Sequence, residues 1–150
     1  HERAAQDPQE ELERLVREGY LTPEQGQAVV LDKVRAYFAS DLAQRIARSP
    51  RVLREVRFVA QLGRQEVGAF LPDLGENRVN VQGVADCVFQ EGEELILVDY
   101  KTDRISQPQE LADRYRNQLM LYKLILSRNF GRKVGQCILY SLQLNQEVPL

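Results

Sequence analysis

A β-hairpin signal constrains the fold of this chain more than any other feature of its sequence. Two apolar, β-rich runs, Val79–Gln90 and Glu94–Lys101, flank the short segment Glu91-Gly92-Glu93. Glycine at the first central position of a two-residue turn favours a type II′ turn, whose twist matches that of the flanking strands. The two runs are therefore predicted to be adjacent antiparallel strands.

The remaining segments place this hairpin within an α+β (mixed α/β) domain. Thr22 begins a capping signal, with Pro23 at the first helical position and Gln25 at the capping-box position. Periodicity, caps and breakers predict helices over Gln9–Glu18, Thr22–Ala39, Ser40–Arg48 and Pro108–Arg128, strands over Arg54–Leu62 and Val134–Leu144, and a loop over Gly68–Arg78. After the helical lead the order is strand, strand, strand, helix, strand. We expect one domain over residues 1–150, with a helical lead at 1–49 and a core at 50–150.

Composition excludes several classes of function. The chain has 22 acidic and 20 basic residues, so it does not hold nucleic acid by bulk charge alone, although a local basic groove stays open. Its one histidine, His1, argues against Ser-His-Asp, Cys-His and His-rich metal chemistry. Cys87 and Cys137 each lie alone in an apolar run and are predicted to be core residues. Any chemistry is expected to use carboxylates, lysine or backbone groups.

The sequence gives no signal for a membrane. No apolar run approaches the roughly 20 residues of a membrane span. His1–Glu11 lacks the basic start and apolar centre of a signal peptide. We expect a soluble, cytoplasmic domain without a membrane partner.

Two acidic residues are predicted to meet across the hairpin. With Gly92 and Glu93 at the turn, the register places Asp86 opposite Asp99. Side chains in such pairs have Cβ atoms about 4.5 to 5.5 Å apart, and like charges there repel. A divalent cation would remove the repulsion, and Mg²⁺ prefers one or two carboxylates completed by waters and substrate phosphate. Lys101 shares the face of Asp99 because strand side chains alternate. An ammonium next to two carboxylates and a metal can contact a scissile phosphate or help orient the attacking water.

Each candidate also has a structural interpretation. Asp-x-Lys is a common tripeptide, but Asp99 and Lys101 directly follow the apolar run Leu95–Val98, opposite another acidic residue. Gln118 and Tyr122 share one helix face, either as part of a site or as a core tyrosine with an exposed neighbour. Glu55 is either a third carboxylate or the partner of an adjacent arginine.

Three of these segments together resemble a known signature. Gly83–Asp86, Asp99–Lys101 and Gln118–Tyr122 resemble the Gly-x-x-Asp, Asp-x-Lys and Gln-x-x-x-Tyr motifs of the RecB-like branch of the PD-(D/E)xK nuclease superfamily. The longer phrases Val98–Arg104 and Tyr115–Leu119 are most similar to the C-terminal nuclease domains of AddA-type subunits in bacterial AddAB helicase–nucleases.

The resemblance implies a restriction-endonuclease-like core and a Mg²⁺-dependent DNA exonuclease of double-strand-break repair and recombination, with Mn²⁺ able to substitute. It implies that Asp86, Asp99 and the carbonyl of Tyr100 hold the metal and that Lys101 is catalytic. Gln118 and Tyr122 would support the site and the DNA strand.

The resemblance also bears on partners. The chain contains no GxxxxGK[ST] motif and so no ATP site of that kind, which implies that it is a fragment of a larger helicase–nuclease subunit or a stand-alone nuclease. The implied partners are DNA, as a single strand delivered by a helicase motor, and an AddB-type subunit. Relatives carry a further metal-binding histidine on a helix ahead of the core, and His1 is not assigned to that role. The absence of a four-cysteine cluster argues against the iron–sulfur members of this branch.

Two alternatives from other classes stay open. A catalytically silent domain of the same fold would bind DNA or a partner protein without regard to Mg²⁺. A metal-dependent hydrolase would instead act on RNA or on small phosphoesters.

Overall fold

The computed structural model describes residues 2–68 and 77–150 and divides the chain into two compact units, His1–Ala47 and Arg48–Leu150. Most of the predicted loop Gly68–Arg78 lies outside the described residues. The helices are α1 (Glu2–Gln6), α2 (Pro8–Arg17), α3 (Pro23–Ala28), α4 (Leu31–Ala39), α5 (Asp41–Arg48), α6 (Arg64–Val67) and α7 (Pro108–Phe130). The strands are β1 (Val52–Gly63), β2 (Arg78–Glu91), β3 (Glu94–Lys101), β4 (Val134–Ser141) and β5 (Gln146–Pro149). The α+β class is confirmed.

The N-terminal unit differs from the sequence prediction at two places: helix α1 was not predicted, and the segment Thr22–Ala39 is not one helix. The capping box is present, since Thr22 Oγ1 accepts the backbone N–H of Gln25 at 3.2 Å and the Gln25 side chain accepts the N–H of Thr22 at 2.9 Å. The single helix predicted over Thr22–Ala39 is wrong, because Val29 and Val30 are extended and separate α3 from α4. Two successive β-branched residues lose side-chain freedom in a helix, which lowers their helix propensity.

The C-terminal unit contains a five-stranded mixed sheet in the order β1-β2-β3-β4-β5. Strands β3 and β4 are parallel, and the other neighbouring pairs are antiparallel. Parallel neighbours need a crossover connection, which α7 provides. Two elements of this unit were not predicted from the sequence. The short helix α6 follows β1, and β5 follows a turn in which Asn145 adopts a φ of 50° and Ser141 Oγ accepts the N–H of Leu144.

One face of the sheet packs beneath α7. The helix contributes Leu111, Leu119 and Ile125 to the core, and all three side chains are fully buried. The helix ends at Gly131, whose φ of 57° gives the left-handed conformation that closes many helices. Both cysteines are buried and free, as predicted.

A paired irregularity divides the β1–β2 hairpin. In a regular strand, residues three apart lie on opposite faces. Here Ala85 and Val88 both belong to the core beneath α7, and on β1 Leu53 and Val56 both pack against it. Between them the ladder passes from Arg54–Cys87 to Val56–Ala85 without pairing the intervening residues, and the residue skipped on β1 is Glu55, whose φ is 51°. The face alternation therefore shifts by one residue at Asp86 on β2 and at Glu55 on β1.

Candidate active site

The irregularity at Asp86 changes how the two predicted carboxylates meet. The predicted hairpin register is confirmed as far as Cys87–Val98, where the β2–β3 ladder ends. The predicted direct pairing of Asp86 with Asp99 is therefore not made. Instead, Asp86 Oδ2 accepts the backbone N–H of Tyr100 at 2.9 Å, so the Asp86 carboxylate takes the place of a ladder acceptor next to Asp99. Because a carboxylate has several acceptor positions, this bond leaves capacity for a further ligand.

Asp99 and Lys101 lie on the face beneath α7. Leu97, Asp99 and Lys101 are two residues apart along β3 and so share a face, and Leu97 is a core residue of that face. The ring of Tyr100, between them, contacts the ring of Tyr140 instead. Lys101 Nζ lies 2.5 Å from Asp99 Oδ2. Asp99 is only 4% exposed, which makes it a buried carboxylate at the end of a central strand.

The electrostatic surroundings of Asp99 favour a bound cation. Burial raises the pKa of the Asp99 carboxyl, the Lys101 ammonium opposes that rise, and the negative charges of Asp86 and Asp103 add to it. Asp99 Oδ2 is in close ionic contact with the Lys101 ammonium, and no other donor from the described residues reaches this buried oxygen. A buried carboxylate whose close partner is one ammonium, beside a second carboxylate, fits a divalent cation that keeps several waters.

The third motif reaches the same face through a close contact at Gly83. A Cβ atom at Gly83 would lie 2.6 Å from Phe58 Cζ and 2.8 Å from Tyr122 Oη, so only glycine leaves room for the tyrosine. Tyr122 also packs edge-to-face on Phe58, with ring centroids 4.7 Å apart, and accepts a hydrogen bond from Gln118 Nε2 at 3.1 Å. The glycine of the first motif thus seats the tyrosine of the third.

Three further residues join the site: Tyr115 and Asp103, which were not predicted for it, and Arg114, for which the sequence left open either phosphate contact or solvation. The Lys101 ammonium lies over the Tyr115 ring, 3.9 Å from its centroid. The Tyr115 hydroxyl donates to both oxygens of Asp103, at 3.0 and 3.2 Å, and Arg114 forms an ion pair with the same carboxylate. In the sequence, Tyr115 stands in the phrase Tyr115–Leu119, but its distance from Lys101 along the chain hid the contact.

The structure does not assemble a larger acidic cluster. Among residues 2–68 and 77–150, no group of three or more His, Cys, Asp or Glu side chains is arranged to hold a metal ion. Glu55 lies on β1 but does not complete such a group. His1 lies outside the described residues. The carboxylate donors that these residues bring together are therefore Asp86 and Asp99.

Comparison with known proteins shows the family to which the chain belongs. The model of the PD-(D/E)XK nuclease superfamily matches residues 1–148, and the chain belongs to that superfamily. The sequence is similar to the A subunit of the ATP-dependent helicase/nuclease of Desulforamulus reducens, with 35% identity over 140 residues, which are 93% of this chain and 11% of that protein. The proteins of the same name from Thermoanaerobacter sp. strain X514 and Clostridium perfringens strain ATCC 13124 are 36% and 34% identical over 87% and 94% of this chain.

The matched region is a small part of those relatives. The chain spans 11% of the Thermoanaerobacter protein and 12% of the Clostridium protein. Within the part of the chain that the structure describes, no helix is both long and apolar enough to cross a membrane.

Proposed function

We propose that this chain is a Mg²⁺-dependent deoxyribonuclease domain that hydrolyses phosphodiester bonds at the site formed by Asp86, Asp99 and Lys101. Membership of a nuclease superfamily supports the reaction class. The observation that carries the proposal is the convergence of three motifs, distant in sequence, on the face of the sheet beneath α7.

The carboxylates would hold the metal. Asp99, buried at the end of β3, and Asp86, fixed by the N–H of Tyr100, would bind one divalent cation, with the Tyr100 carbonyl as the third protein ligand. Mg²⁺ is the expected ion and Mn²⁺ would substitute. When bound, the cation supplies Lewis-acid chemistry, activating water and neutralising charge on the phosphate.

The remaining residues act on the substrate. Lys101 places its ammonium beside Asp99, where it would bind the scissile phosphate and stabilise the negative charge that develops on its oxygens. Gln118 and Tyr122, joined by their hydrogen bond, would hold the neighbouring part of the DNA strand. The nucleophile is water, which attacks phosphorus as the P–O bond to the leaving oxygen breaks.

The relatives suggest a wider setting for this reaction. The A subunits of ATP-dependent helicase/nucleases match this chain over a small part of their length. We propose that the domain acts as an exonuclease on a single strand delivered by an ATP-dependent helicase, in double-strand-break repair and recombination in the bacterial cytoplasm, together with an AddB-type subunit. Residues 50–150 would form the nuclease core and residues 1–49 a helical lead.

The proposal is tested by incubating the 150-residue chain with end-labelled single-stranded DNA and Mg²⁺ or Mn²⁺, beside an EDTA control. Lys101→Ala is expected to reduce cleavage at least about a hundredfold, because a group that stabilises transition-state charge is lost. The matched control is Lys133→Ala, a 72% exposed lysine paired with Glu94 on the surface. Competition with RNA and with a small phosphoester tests substrate class.

Three results would contradict the proposal. Cleavage that continues in EDTA would contradict the role of the metal. Cleavage that continues in Lys101→Ala would contradict the role of the lysine. DNA binding without cleavage in any lane would favour the silent-domain alternative.

A further inference from the structure

We propose that Tyr115 is the positioning residue for Lys101, and that Asp103 holds the Tyr115 ring in place. This inference rests on the proposed function, because it concerns the lysine that acts on the phosphate. Neither residue belongs to the three-part signature Gly-x-x-Asp, Asp-x-Lys and Gln-x-x-x-Tyr, although both lie in the longer phrases Val98–Arg104 and Tyr115–Leu119.

A lysine side chain has more freedom than a catalytic group can use. Four rotatable carbon–carbon bonds let an ammonium occupy many positions, so a catalytic lysine needs contacts that fix it. Only about 15% of the Lys101 side chain is exposed, and its Nζ has two close neighbours, Asp99 Oδ2 at 2.5 Å and the centroid of the Tyr115 ring at 3.9 Å. The face of the Tyr115 ring is therefore, beside Asp99, the second group that restricts where the ammonium can lie.

An aromatic ring suits this task better than a second carboxylate would. The ring face attracts a cation through its quadrupole but carries no net charge. The ammonium is held in place while its positive charge stays available to a phosphate. A further acidic side chain at the same position would neutralise that charge and repel the substrate.

The ring is itself held by groups from two elements. Asp103 follows β3 by two residues, and Tyr115 lies on α7. The Tyr115 hydroxyl donates to both oxygens of Asp103, and Arg114, the neighbour of Tyr115 on α7, forms an ion pair with the same carboxylate. Asp103, two residues after the end of β3, thus fixes the ring that covers Lys101, the last residue of that strand.

The first test is spectroscopic and does not depend on cleavage. The chain has four lysines, so selective ¹³C labelling of the lysine Cε gives few signals, and Lys101→Arg identifies the one from Lys101. The protons of this carbon lie near the face of the Tyr115 ring and are expected to be shifted upfield. Tyr115→Leu should abolish the shift, whereas Tyr115→Phe, which keeps the ring but loses its hydrogen bonds to Asp103, should keep part of it.

The second test is kinetic. Tyr115→Leu is expected to lower kcat about tenfold and to change KM by less than about twofold, because misplacing a catalytic group affects the chemical step more than binding. Tyr115→Phe should recover part of the loss, since it restores the ring but not its hydrogen bonds to Asp103. The matched control is Tyr20→Leu in the N-terminal unit, which also removes a tyrosine ring facing a cation, Arg14.

The outcomes separate this proposal from the proposed function. An unchanged Lys101 signal in Tyr115→Leu overturns the positioning role, whether or not the chain cleaves DNA. Loss of the upfield shift of the Lys101 signal in Tyr115→Leu with an unchanged kcat also overturns the positioning role, because the contact then has no effect on the reaction. If the chain cleaves nothing, the proposed function fails, and the lysine signal alone decides whether Tyr115 holds Lys101. Should Tyr115→Leu not fold, Asp103→Ala is used, which removes both acceptors of the Tyr115 hydroxyl, and a Lys101 shift that is unchanged there refutes the role of Asp103.

Discussion

Substitution of Gly83 by alanine tests the contact through which the first and third motifs meet. The added Cβ would lie 2.6 Å from Phe58 Cζ, 2.8 Å from Tyr122 Oη and 3.0 Å from Tyr122 Cζ, well inside the 3.4 Å at which ordinary van der Waals contact begins. Both neighbours are rings held by other contacts, so neither can yield without disturbing the core beneath α7.

The expected change in the free energy of unfolding has two destabilising contributions and one stabilising contribution. Overpacking a core costs about 1–3 kcal/mol. A stretched Gln118–Tyr122 hydrogen bond adds roughly 0.5–1.5 kcal/mol, and the loss of unfolded-state freedom on replacing glycine returns about 0.4–1 kcal/mol. The net destabilisation is about 1–3 kcal/mol, which corresponds to a fall in Tm of roughly 2–4 °C per kcal/mol for a chain of this length.

Urea unfolding followed by far-ultraviolet circular dichroism measures this change in the free energy of unfolding. The matched control is Gly63→Ala in the same hairpin, where a Cβ has nothing within 4 Å and the backbone φ is −102°. Gly63→Ala is expected to be neutral or slightly stabilising. A Gly83→Ala variant as stable as Gly63→Ala would show that glycine is not required to seat Tyr122. Adding Phe58→Leu, which removes the nearest atom, should recover part of the loss.

Three other substitutions test separate features by the same unfolding assay. Glu55→Gly should raise the free energy of unfolding by about 1 kcal/mol, because glycine adopts a φ of 51° without the strain of a larger residue; a decrease would mean that the side chain itself stabilises the hairpin. Gly131→Ala should lower it by about 1 kcal/mol through left-handed strain at the end of α7, and an unchanged value would contradict that. Asp103→Asn should be less stable than the wild type at neutral pH. Desolvation raises the pKa of the Asp103 carboxyl, but the hydrogen bonds from Tyr115 and Arg114 outweigh it, so the net pKa lies below the ordinary value of about 3.9. The carboxylate therefore stabilises the fold above that pH, and the difference between variant and wild type should shrink as pH falls below it; a constant difference would contradict the assignment.

Local sequence rules predicted much of this fold. Gly92 at the turn was enough to set the register of β2 and β3 near the turn, and the capping residues at Thr22 marked the start of α3. These features depend on residues close together in sequence, where turn geometry and backbone hydrogen bonds decide the outcome. The motif residues could be placed on their elements for the same reason.

The parts that the sequence did not predict depend on distant contacts. The shift in face alternation at Asp86 needs a matching irregularity at Glu55, far earlier in the chain, and no local rule links the two. Tyr115 reads as a core residue until the fold brings its ring to Lys101. The separation of α3 from α4 is a local feature, but the helical pattern continues across Val29 and Val30 and concealed it.

The most direct test of the proposed metal-dependent cleavage is the rate of DNA cleavage as a function of Mg²⁺ concentration in Asp99→Asn and in the wild type. The substitution removes the charge that would bind the cation but keeps the size of the side chain. The matched control is Asp113→Asn, an exposed residue of α7 whose carboxylate accepts a hydrogen bond from Gln109. We expect wild-type rates for Asp113→Asn and a loss of at least about a hundredfold for Asp99→Asn at every metal concentration. Mg²⁺-dependent cleavage by Asp99→Asn at the wild-type rate would contradict the proposed role of this carboxylate.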